Sequence, residues 1–251
     1  MRGSELFPAS GVWQATSDKR DGHTSFGHIN EQQTNDNINR FLARLDWPIK
    51  GYAFMRIGHE PGNIYDAVEI VDRLDKTRPK INRQSAPIVD AVVTNLPNVA
   101  LILPTADCYA VTIHDPINRV LALAHMGWQS TDARLLIKLV DQMRARFDSN
   151  PTNLLAHFGP GIPAKYYVFK AVSQVRDPDW KDYLLKDKAG YHIDLKGFNI
   201  NQLTNLGVNR QNIDLDPRNT VEAPELESNF IHNQAKLSTA RRFLNIVMMS
   251  R

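Results

Sequence analysis

Two side chains able to do chemistry, the thiol of Cys108 and the imidazole of His125, flank a pattern typical of a β-hairpin. The runs YAVTIH and RVLALAH are strand-like, and the residues DPIN between them carry an Asp-Pro turn signal. With Asp115–Asn118 as the loop and His114 opposite Arg119, the register pairs Cys108 directly with His125. Their Cβ atoms would then lie about 4.5–5.5 Å apart on one face of the hairpin.

A thiol and an imidazole at this separation are compatible with three roles. They can share a tetrahedral metal ion, because Zn–S bonds are about 2.3 Å and Zn–N bonds about 2.0–2.1 Å long. They can form a thiolate–imidazole pair for nucleophilic catalysis. They can also be a small buried cysteine and a hydrogen-bonded core histidine. Asp107, an acid at the end of an apolar strand, favours the metal, because carboxylates commonly orient metal-bound imidazoles.

The composition predicts a cytoplasmic globular protein. The chain has 251 residues, 42% hydrophobic and 23% charged, a balance that is ordinary for globular domains. The single cysteine excludes an internal disulfide framework, which favours a reducing compartment. The apolar runs are too short to span a bilayer. The net charge of +3 is spread over dispersed basic residues, so we expect neither a nucleic-acid nor a membrane partner.

Hydrophobic periodicity predicts a mixture of helices and strands. Helices are predicted over Asn37–Trp47, over Thr131–Phe147 and from Asp194 to a stop at Gly207. Strands are predicted for the runs IVDAVVT, NVALIL, YAVTIH, RVLALAH and LLAHFG. The polar segment Asp75–Pro87 is predicted to be a loop insertion. The chain therefore has the pattern of an α/β or α+β fold whose sheets are covered by helices.

The hairpin and five further elements resemble the laccase-domain family. TADCYAVTIHDP with VLALAHMGWQ is similar to the family's TADC-x-P-V and AH-x-GW core. The other elements, in family order, are DKRDGHTSFGHIN, NDNINRFLARL and VDAVVTN before the hairpin, and FGPGIPAKYYVF and HIDLKGFNINQLTNLGV after it. Family members have been described as polyphenol oxidases, peptidoglycan editing factors and purine nucleoside phosphorylases. The resemblance implies one α/β domain over residues 1–251, layered α/β/β/α, with residues 1–10 as a disordered N-terminus.

The resemblance also implies a zinc site with histidine, cysteine and histidine ligands. Cys108 and His125 match two of these ligands directly. His59, in MRIGHEPGNI, is assigned as the third, although Ile57 and Glu60 stand where the family has glutamine and glycine. Three protein ligands leave a fourth position open, as in catalytic zinc sites. Zinc is therefore the expected cofactor, and copper is less favoured.

The implied activity is chemistry on purine nucleosides, as a transferase or hydrolase. It comprises phosphorolysis of the N-glycosidic bond and hydrolytic deamination of adenosine, so the expected partners are a purine nucleoside and phosphate. Asp107 and Glu60 are the catalytic candidates for proton transfer, because each lies next to an expected ligand. Arg20, which matches the family's N-terminal arginine, is the first candidate for binding phosphate in catalysis.

Further substrate-binding candidates come with departures from the family pattern. Arg56 is a weaker cation candidate than Arg20, and the late STARR, similar to the family's tGR, makes Arg241 or Arg242 another. Gln129 stands at the position of the arginine in the family's GWRG motif. The neutral amide of a glutamine cannot replace a guanidinium. Asn219 replaces a second cysteine, and the family's paired arginines after Phe230 are absent. These departures predict a divergent member with a different substrate or diminished activity.

Other functions remain open at this stage. A multicopper oxidase is disfavoured, because the eight histidines are scattered with no H-x-H pair. A metal-free thiol hydrolase would use Cys108 and His125 as its nucleophilic pair. A binding protein without catalysis, or a peptidoglycan-editing factor of the same family, would share the fold. The chain is expected to be a monomer or a small homo-oligomer.

Overall fold

The computed structural model describes residues 6–7, 10–24, 30–58, 63–77, 86–237 and 241–250. The strands are β1 (Val12–Thr16), β2 (Gly51–Phe54), β3 (Val68–Val71), β4 (Ala91–Thr94), β5 (Val99–Thr105), β6 (Tyr109–Asp115), β7 (Val120–Met126), β8 (Leu155–Phe158), β9 (Val168–Phe169), β10 (Leu184–Lys186), β11 (Tyr191–Ile193), β12 (Ile213–Leu215) and β13 (Phe243–Met249). The α-helices are α1 (Glu31–Leu45), α2 (Trp128–Asp132), α3 (Leu135–Phe147), α4 (Leu195–Asn205) and α5 (Asn229–Gln234).

Two sheets form the centre of the fold. A four-stranded sheet has the order β1-β13-β5-β2, and a six-stranded sheet has the order β12-β8-β6-β7-β4-β3. A third, three-stranded sheet has the order β10-β11-β9 and shares no strand with the other two. In the six-stranded sheet the hairpin β6-β7 is central, antiparallel and hydrogen-bonded on its outer sides to β8 and β4. The hairpin predicted to carry the chemistry is thus held firmly on both sides.

Alternation along the strands produces four layers. Ala100 and Ile102 of β5 pack in one apolar cluster with Ile38 and Phe41 of α1. The alternate residues of β5, such as Leu101, cluster with the six-stranded sheet across the space between the two sheets. The opposite face of the six-stranded sheet packs against α3 and α4. Because successive side chains of a strand point to opposite faces, this partition gives the order helix, sheet, sheet, helix. The predicted α/β class and its α/β/β/α layering are confirmed.

The predicted strands are all present, but the predicted hairpin register is wrong by two residues. His114 pairs with Leu121 rather than Arg119, and His125 pairs with Ala110 rather than Cys108. The cause lies in the turn. The Oδ1 atom of Asp115 accepts hydrogen bonds from the N–H groups of Ile117 (2.9 Å) and Asn118 (3.1 Å). Asp115 therefore stays in β6 and caps a turn made by residues 116–119.

The helix predicted over Thr131–Phe147 is broken, which corrects that prediction. Trp128–Asp132 and Leu135–Phe147 are separate helices, and between them Arg134 has a left-handed φ of 59°. The Arg134 guanidinium lies 4.7 Å from the centroid of the Phe198 ring and donates a 2.6 Å hydrogen bond to Asp177. Both contacts come from distant sequence, so local periodicity could not reveal the break.

The two other predicted helices are present. Helix α1 ends at Leu45, two residues before the predicted end, and begins at Glu31, six residues before the predicted start, because its first turns are polar and carry no apolar spacing. Helix α4 begins next to Asp194, as predicted, and the Asp194 side chain caps it by accepting from the N–H of Gly197 at 2.9 Å. Gly207, with a φ of 99°, follows the end of α4.

Two predicted segments fall partly outside the described residues. Of the N-terminal segment 1–10, only Leu6, Phe7 and Ser10 are described, and Phe7 is buried against His114 and His157. Of the predicted loop insertion, residues 78–85 lie outside the described part. Within the described ranges, no helix is both long and apolar enough to cross a bilayer.

Candidate metal centre and active site

Cys108 and His125 lie side by side at the end of the β6-β7 hairpin. The register error of two residues keeps both side chains on the same face, because side-chain direction repeats every second residue. A Cβ atom placed on Gly127 would lie 3.0 Å from the Cys108 Sγ and 3.5 Å from the His125 Nε2. Both donor atoms thus border one small space, which only a glycine at position 127 leaves open.

The pKa of His125 depends on its neighbour Cys108. Burial alone would lower the pKa of His125, but the negative charge of Cys108, together with Asp90, raises it to about 9. The charged form of the imidazole is therefore favoured. A thiolate sulfur and an imidazole nitrogen are the donors that zinc prefers in proteins.

Asp90 lies beside the Nδ1 atom of the His125 imidazole. Its Oδ1 atom lies 3.8 Å from the His125 Nδ1, and both atoms are buried without a hydrogen-bond partner among the described residues. The main chains are joined as well, since the N–H of His125 donates to the Asp90 carbonyl at 2.8 Å. A carboxylate beside the second nitrogen of a ligating histidine fixes its orientation and tautomer.

Ser130 fixes the turn that follows His125. Its hydroxyl donates a 2.6 Å hydrogen bond to the His125 carbonyl, and its oxygen accepts from the N–H of Gly127 at 3.0 Å. Both contacts are buried, so the path of residues 125–130 is set at the start of α2. The serine thereby holds the imidazole and the glycine in one arrangement.

Asp107 ties the site to the C-terminal part of the chain. Its Oδ1 accepts from the Thr220 hydroxyl at 2.6 Å, and its Oδ2 accepts from the N–H of Phe230 at 2.7 Å. The residue is buried and has a φ of 80°, a conformation rare for a residue with a Cβ atom. Such strain is found where surrounding contacts hold a functional turn, here the turn that presents Cys108.

Arg242 brings a positive charge to this region. Burial lowers the pKa of its guanidinium, while the negative charges of Cys108 and Asp107 oppose that effect. Its Nη1 atom is buried and has no hydrogen-bond partner among the described residues. Arg241, the other arginine named from the sequence, has an exposed side chain, and its main-chain N–H donates to the His232 Nδ1 at 3.4 Å. Of the two adjacent arginines, Arg242 is the one that interacts with the site.

Tyr167 also interacts with the charges of this site. Burial raises the pKa of its hydroxyl far above the usual range, and the negative charges of Cys108 and Asp107 add to the effect. The phenol thus keeps its proton at neutral pH and remains a hydrogen-bond donor.

The remaining sequence candidates are dispersed. Arg20 has a side chain that is 79% exposed and pairs with Asp18 at 2.6 Å. Gln129 is exposed on α2, and Arg56 joins a short bridge with Ile88 after β2. His59 and Glu60 lie outside the described residues. The described residues contain no group of three or more metal-ligating side chains, and of the three ligands expected from the sequence the structure brings together Cys108 and His125.

The family follows from comparison with known sequences. A family model described as multi-copper polyphenol oxidoreductase laccase matches residues 16–249. The chain belongs to this laccase family. Relatives within the family indicate which reaction is catalysed.

Two curated relatives of this laccase-family chain are named purine nucleoside phosphorylases. The protein of Deinococcus radiodurans is 35% identical over 121 residues, which cover 47% of this chain and 47% of that protein. YlmD of Bacillus subtilis is 29% identical over 162 residues, covering 62% and 58%. The matched part thus spans about half the length of these curated relatives.

Solved structures match over nearly the whole chain. YlmD from Geobacillus stearothermophilus has a TM-score of 0.84 at 21% identity and covers 99% of this chain and 95% of its own. The hypothetical protein YfiH of Bacillus licheniformis has a TM-score of 0.83 at 24% identity, covering 95% and 93%. At these identities the likeness shows the laccase-family fold.

Sequence reasoning missed Asp90, Ser130, Tyr167 and the choice of Arg242 in this laccase-family site. A signal existed for Asp90, because an acid inside the apolar run IVDAVVT needs a buried partner. Arg242 precedes the buried strand β13 directly, whereas Arg241 lies one residue further out. No local signal distinguishes Tyr167 from Tyr166.

Proposed function

We propose that this laccase-family chain is a zinc-dependent enzyme that phosphorolyses purine nucleosides, with deamination of adenosine as a second reaction. The observation that carries the proposal is the meeting of the Cys108 thiol and the His125 imidazole at the open space beside Gly127. The names of the curated relatives supply the substrate class.

The residues present fit a zinc ion. Cys108 and His125 would hold it, with His59 as the third ligand, and Asp90 would orient the imidazole of His125. Zinc with an open coordination position supplies Lewis-acid activation. Asp107 and Ser130 keep the two ligand-bearing turns in place.

Arg242 is the proposed phosphate-binding residue. In phosphorolysis a phosphate oxygen forms a bond to the sugar C1′, the N-glycosidic bond breaks, and the base leaves with the electron pair and takes up a proton. The phosphate is an anion throughout, so a guanidinium whose buried Nη1 atom has no hydrogen-bond partner among the described residues is suited to hold it. The exposed Arg20 is less suited, because Asp18 already neutralises it.

Tyr167 and Asp107 divide the remaining polar roles. The Tyr167 hydroxyl, whose pKa is raised by burial, is proposed as a hydrogen-bond donor to the substrate. Both oxygens of Asp107 already accept hydrogen bonds, which favours a positioning role over proton transfer. Glu60 is then the remaining sequence candidate for the acid–base group.

Product analysis tests the proposal. Zinc-loaded protein is incubated with adenosine, inosine and guanosine, with and without phosphate, and the products are identified by mass. We expect free base and ribose 1-phosphate only when phosphate is present, and no turnover by Cys108→Ser. Unchanged nucleosides throughout would overturn the enzymatic proposal, and tight nucleoside binding in that case would identify a binding protein.

A metal-free thiol hydrolase is the second candidate, favoured by the raised pKa of His125 beside Cys108. The single cysteine makes alkylation by iodoacetamide a clean test. A zinc-bound thiolate is protected until a chelator removes the metal, whereas a free catalytic thiolate reacts at the same rate with and without chelator.

A further inference from the structure

Glu227 and His232 form a buried pair that the proposed chemistry does not use. Both side chains are buried, and the His232 Nε2 lies 2.9 Å from the Glu227 Oε2. Glu227 precedes helix α5 by two residues, and His232 lies within the helix. The burial of two ionisable groups costs free energy, and the other contacts of the pair show which arrangement it holds.

The second ring nitrogen of His232 joins this pair to the segment that carries Arg242. The His232 Nδ1 accepts a 3.4 Å hydrogen bond from the main-chain N–H of Arg241. A ring nitrogen that accepts a hydrogen bond carries no proton, so the proton of the imidazole is on Nε2, which donates it to Glu227. The buried carboxylate therefore selects the tautomer in which Nδ1 is an acceptor.

The main chain around Arg242 is thereby held from two sides. On its N-terminal side, the hydrogen bond from Arg241 ties it to His232. On its C-terminal side, the Arg242 carbonyl accepts from the N–H of Thr24 at 3.2 Å and from the Thr24 hydroxyl at 2.7 Å. Among the described residues no partner holds the Nη1 atom of Arg242, so the direction of the guanidinium depends on these main-chain anchors.

Helix α5 also contacts the turn that presents Cys108. The N–H of Phe230, two residues before His232, donates to the Oδ2 atom of Asp107 at 2.7 Å. Asp107 directly precedes Cys108 in the chain. The helix is therefore fixed relative to this turn, and through His232 the segment of Arg242 is fixed relative to it as well.

We propose that His232, oriented by Glu227, is a positioning residue that places Arg242 for phosphate binding. The part played by phosphate rests on the proposed function. His232 acts through the hydrogen bond that it accepts from Arg241 and touches no substrate itself.

Two substitutions at His232 separate its two side-chain hydrogen bonds. The side-chain oxygen of asparagine lies as many bonds from Cα as Nδ1 does, so His232→Asn keeps the acceptor for Arg241 and loses the donor to Glu227. The side-chain nitrogen of glutamine corresponds in the same way to Nε2, so His232→Gln keeps the donor and loses the acceptor. Asn233→Gln changes an exposed residue of the same helix and is the control.

Titration calorimetry on the zinc-loaded full chain measures the binding of inorganic phosphate, and urea unfolding measures stability. We expect His232→Gln to weaken phosphate binding about 3–10-fold, the effect of one neutral hydrogen bond, and the other two variants to change it less than about twofold. For stability we expect the reverse order at His232, because His232→Asn leaves the Glu227 carboxylate buried without this donor. A merely structural role would make phosphate affinity follow stability. If His232→Asn does not fold, the double variant His232→Asn/Glu227→Gln, which removes the buried charge, takes its place.

Unchanged phosphate binding in His232→Gln, or an equal loss in His232→Asn, would overturn the positioning role, as would an unaltered chain that binds no phosphate. Failure of the proposed function is read separately, from nucleoside turnover. If phosphate binding depends on His232 as expected while all nucleosides stay unchanged, the positioning role stands and the enzymatic proposal falls. If nucleosides are turned over while His232→Gln binds phosphate as the unaltered chain does, the enzymatic proposal stands and the positioning role falls.

Discussion

The Nδ1 atom of His125 faces the Oδ1 atom of Asp90 across 3.8 Å, and neither buried atom has a hydrogen-bond partner among the described residues. This spacing is just beyond a hydrogen bond, so a small rotation of the imidazole toward Asp90 would close it. If His125 ligates the proposed metal, Asp90 would orient its imidazole through this pair.

Asp90→Asn is therefore expected to weaken zinc binding by about 10–100-fold, because the imidazole loses its anionic support. Competition with a chromogenic chelator measures the affinity. Asp214→Asn is the matched control, since Asp214 pairs with a different buried histidine, His157, at 3.1 Å. Equal affinities for the unaltered chain and Asp90→Asn, or equal losses in both variants, would refute the supporting role of Asp90.

Arg242→Gln is expected to raise the KM for phosphate by about 10–100-fold, the effect of losing a charged hydrogen bond worth about 1.5–3 kcal/mol. Arg241→Gln removes the same charge one residue earlier, from an exposed side chain, and is expected to change KM less than about twofold. Steady-state kinetics at varied phosphate and saturating nucleoside provide the measurement. A larger effect at Arg241 than at Arg242 would reverse the assignment.

Thr220→Val is expected to reduce the free energy of unfolding by about 1–3 kcal/mol, because it leaves the buried Oδ1 of Asp107 without a donor. Thr204→Val loses a hydroxyl that only meets a carbonyl within helix α4, and is expected to cost less than about 1 kcal/mol. Urea unfolding compares the two variants. Equal losses of unfolding free energy in the two variants would show that the hydrogen bond from Thr220 to Asp107 contributes no more than the one within helix α4.

Two buried histidines predict a loss of stability in mild acid. Burial lowers the pKa of both His114 and His157, and for His157 the charge of Asp214 partly opposes the shift. Their contribution is complete above a pH of about 6.5, where the unfolded histidines are also neutral, and declines as the pH falls toward the folded-state pKa values. Each histidine adds a slope of at most about 1.4 kcal/mol per pH unit.

Urea unfolding between pH 8 and about pH 5 measures this slope in the unaltered chain and in the double variant His114→Gln/His157→Gln. The double variant is expected to show a flatter decline. Thr204→Val, which removes no titratable group, is the control and should keep the slope of the unaltered chain. An identical slope in the double variant would assign the acid sensitivity to other groups.

The resemblance to the laccase-domain family predicted the layers of the fold, whereas apolar periodicity by itself predicted sheets covered by helices. In the structure, the two faces of β5 and β7 pack in different apolar clusters. The sequence also predicted that Cys108 and His125 share a face, although their register was wrong, because an error of two residues preserves side-chain direction. The true register depends on the capping of the turn by Asp115, whose side-chain hydrogen bonds an Asp-Pro pattern does not specify.

The rest of the site depends on contacts between distant segments. The break at Arg134 is held by Phe198 and Asp177, which local periodicity does not register. Arg242 and Arg241 are equivalent by composition, and only the docking of β13 distinguishes them. Side chains that act through tertiary contacts were thus found by the structure, while residues marked by a local pattern were found from sequence.

The central claim is that Cys108 and His125 bind one zinc ion together. Zinc content by elemental mass spectrometry, combined with X-ray absorption at the zinc edge, tests it most directly. The claim predicts one zinc per chain, with a single sulfur ligand at about 2.3 Å that is lost in Cys108→Ser. Zinc bound without a sulfur ligand, or protein that binds no zinc when it is supplied, would contradict it.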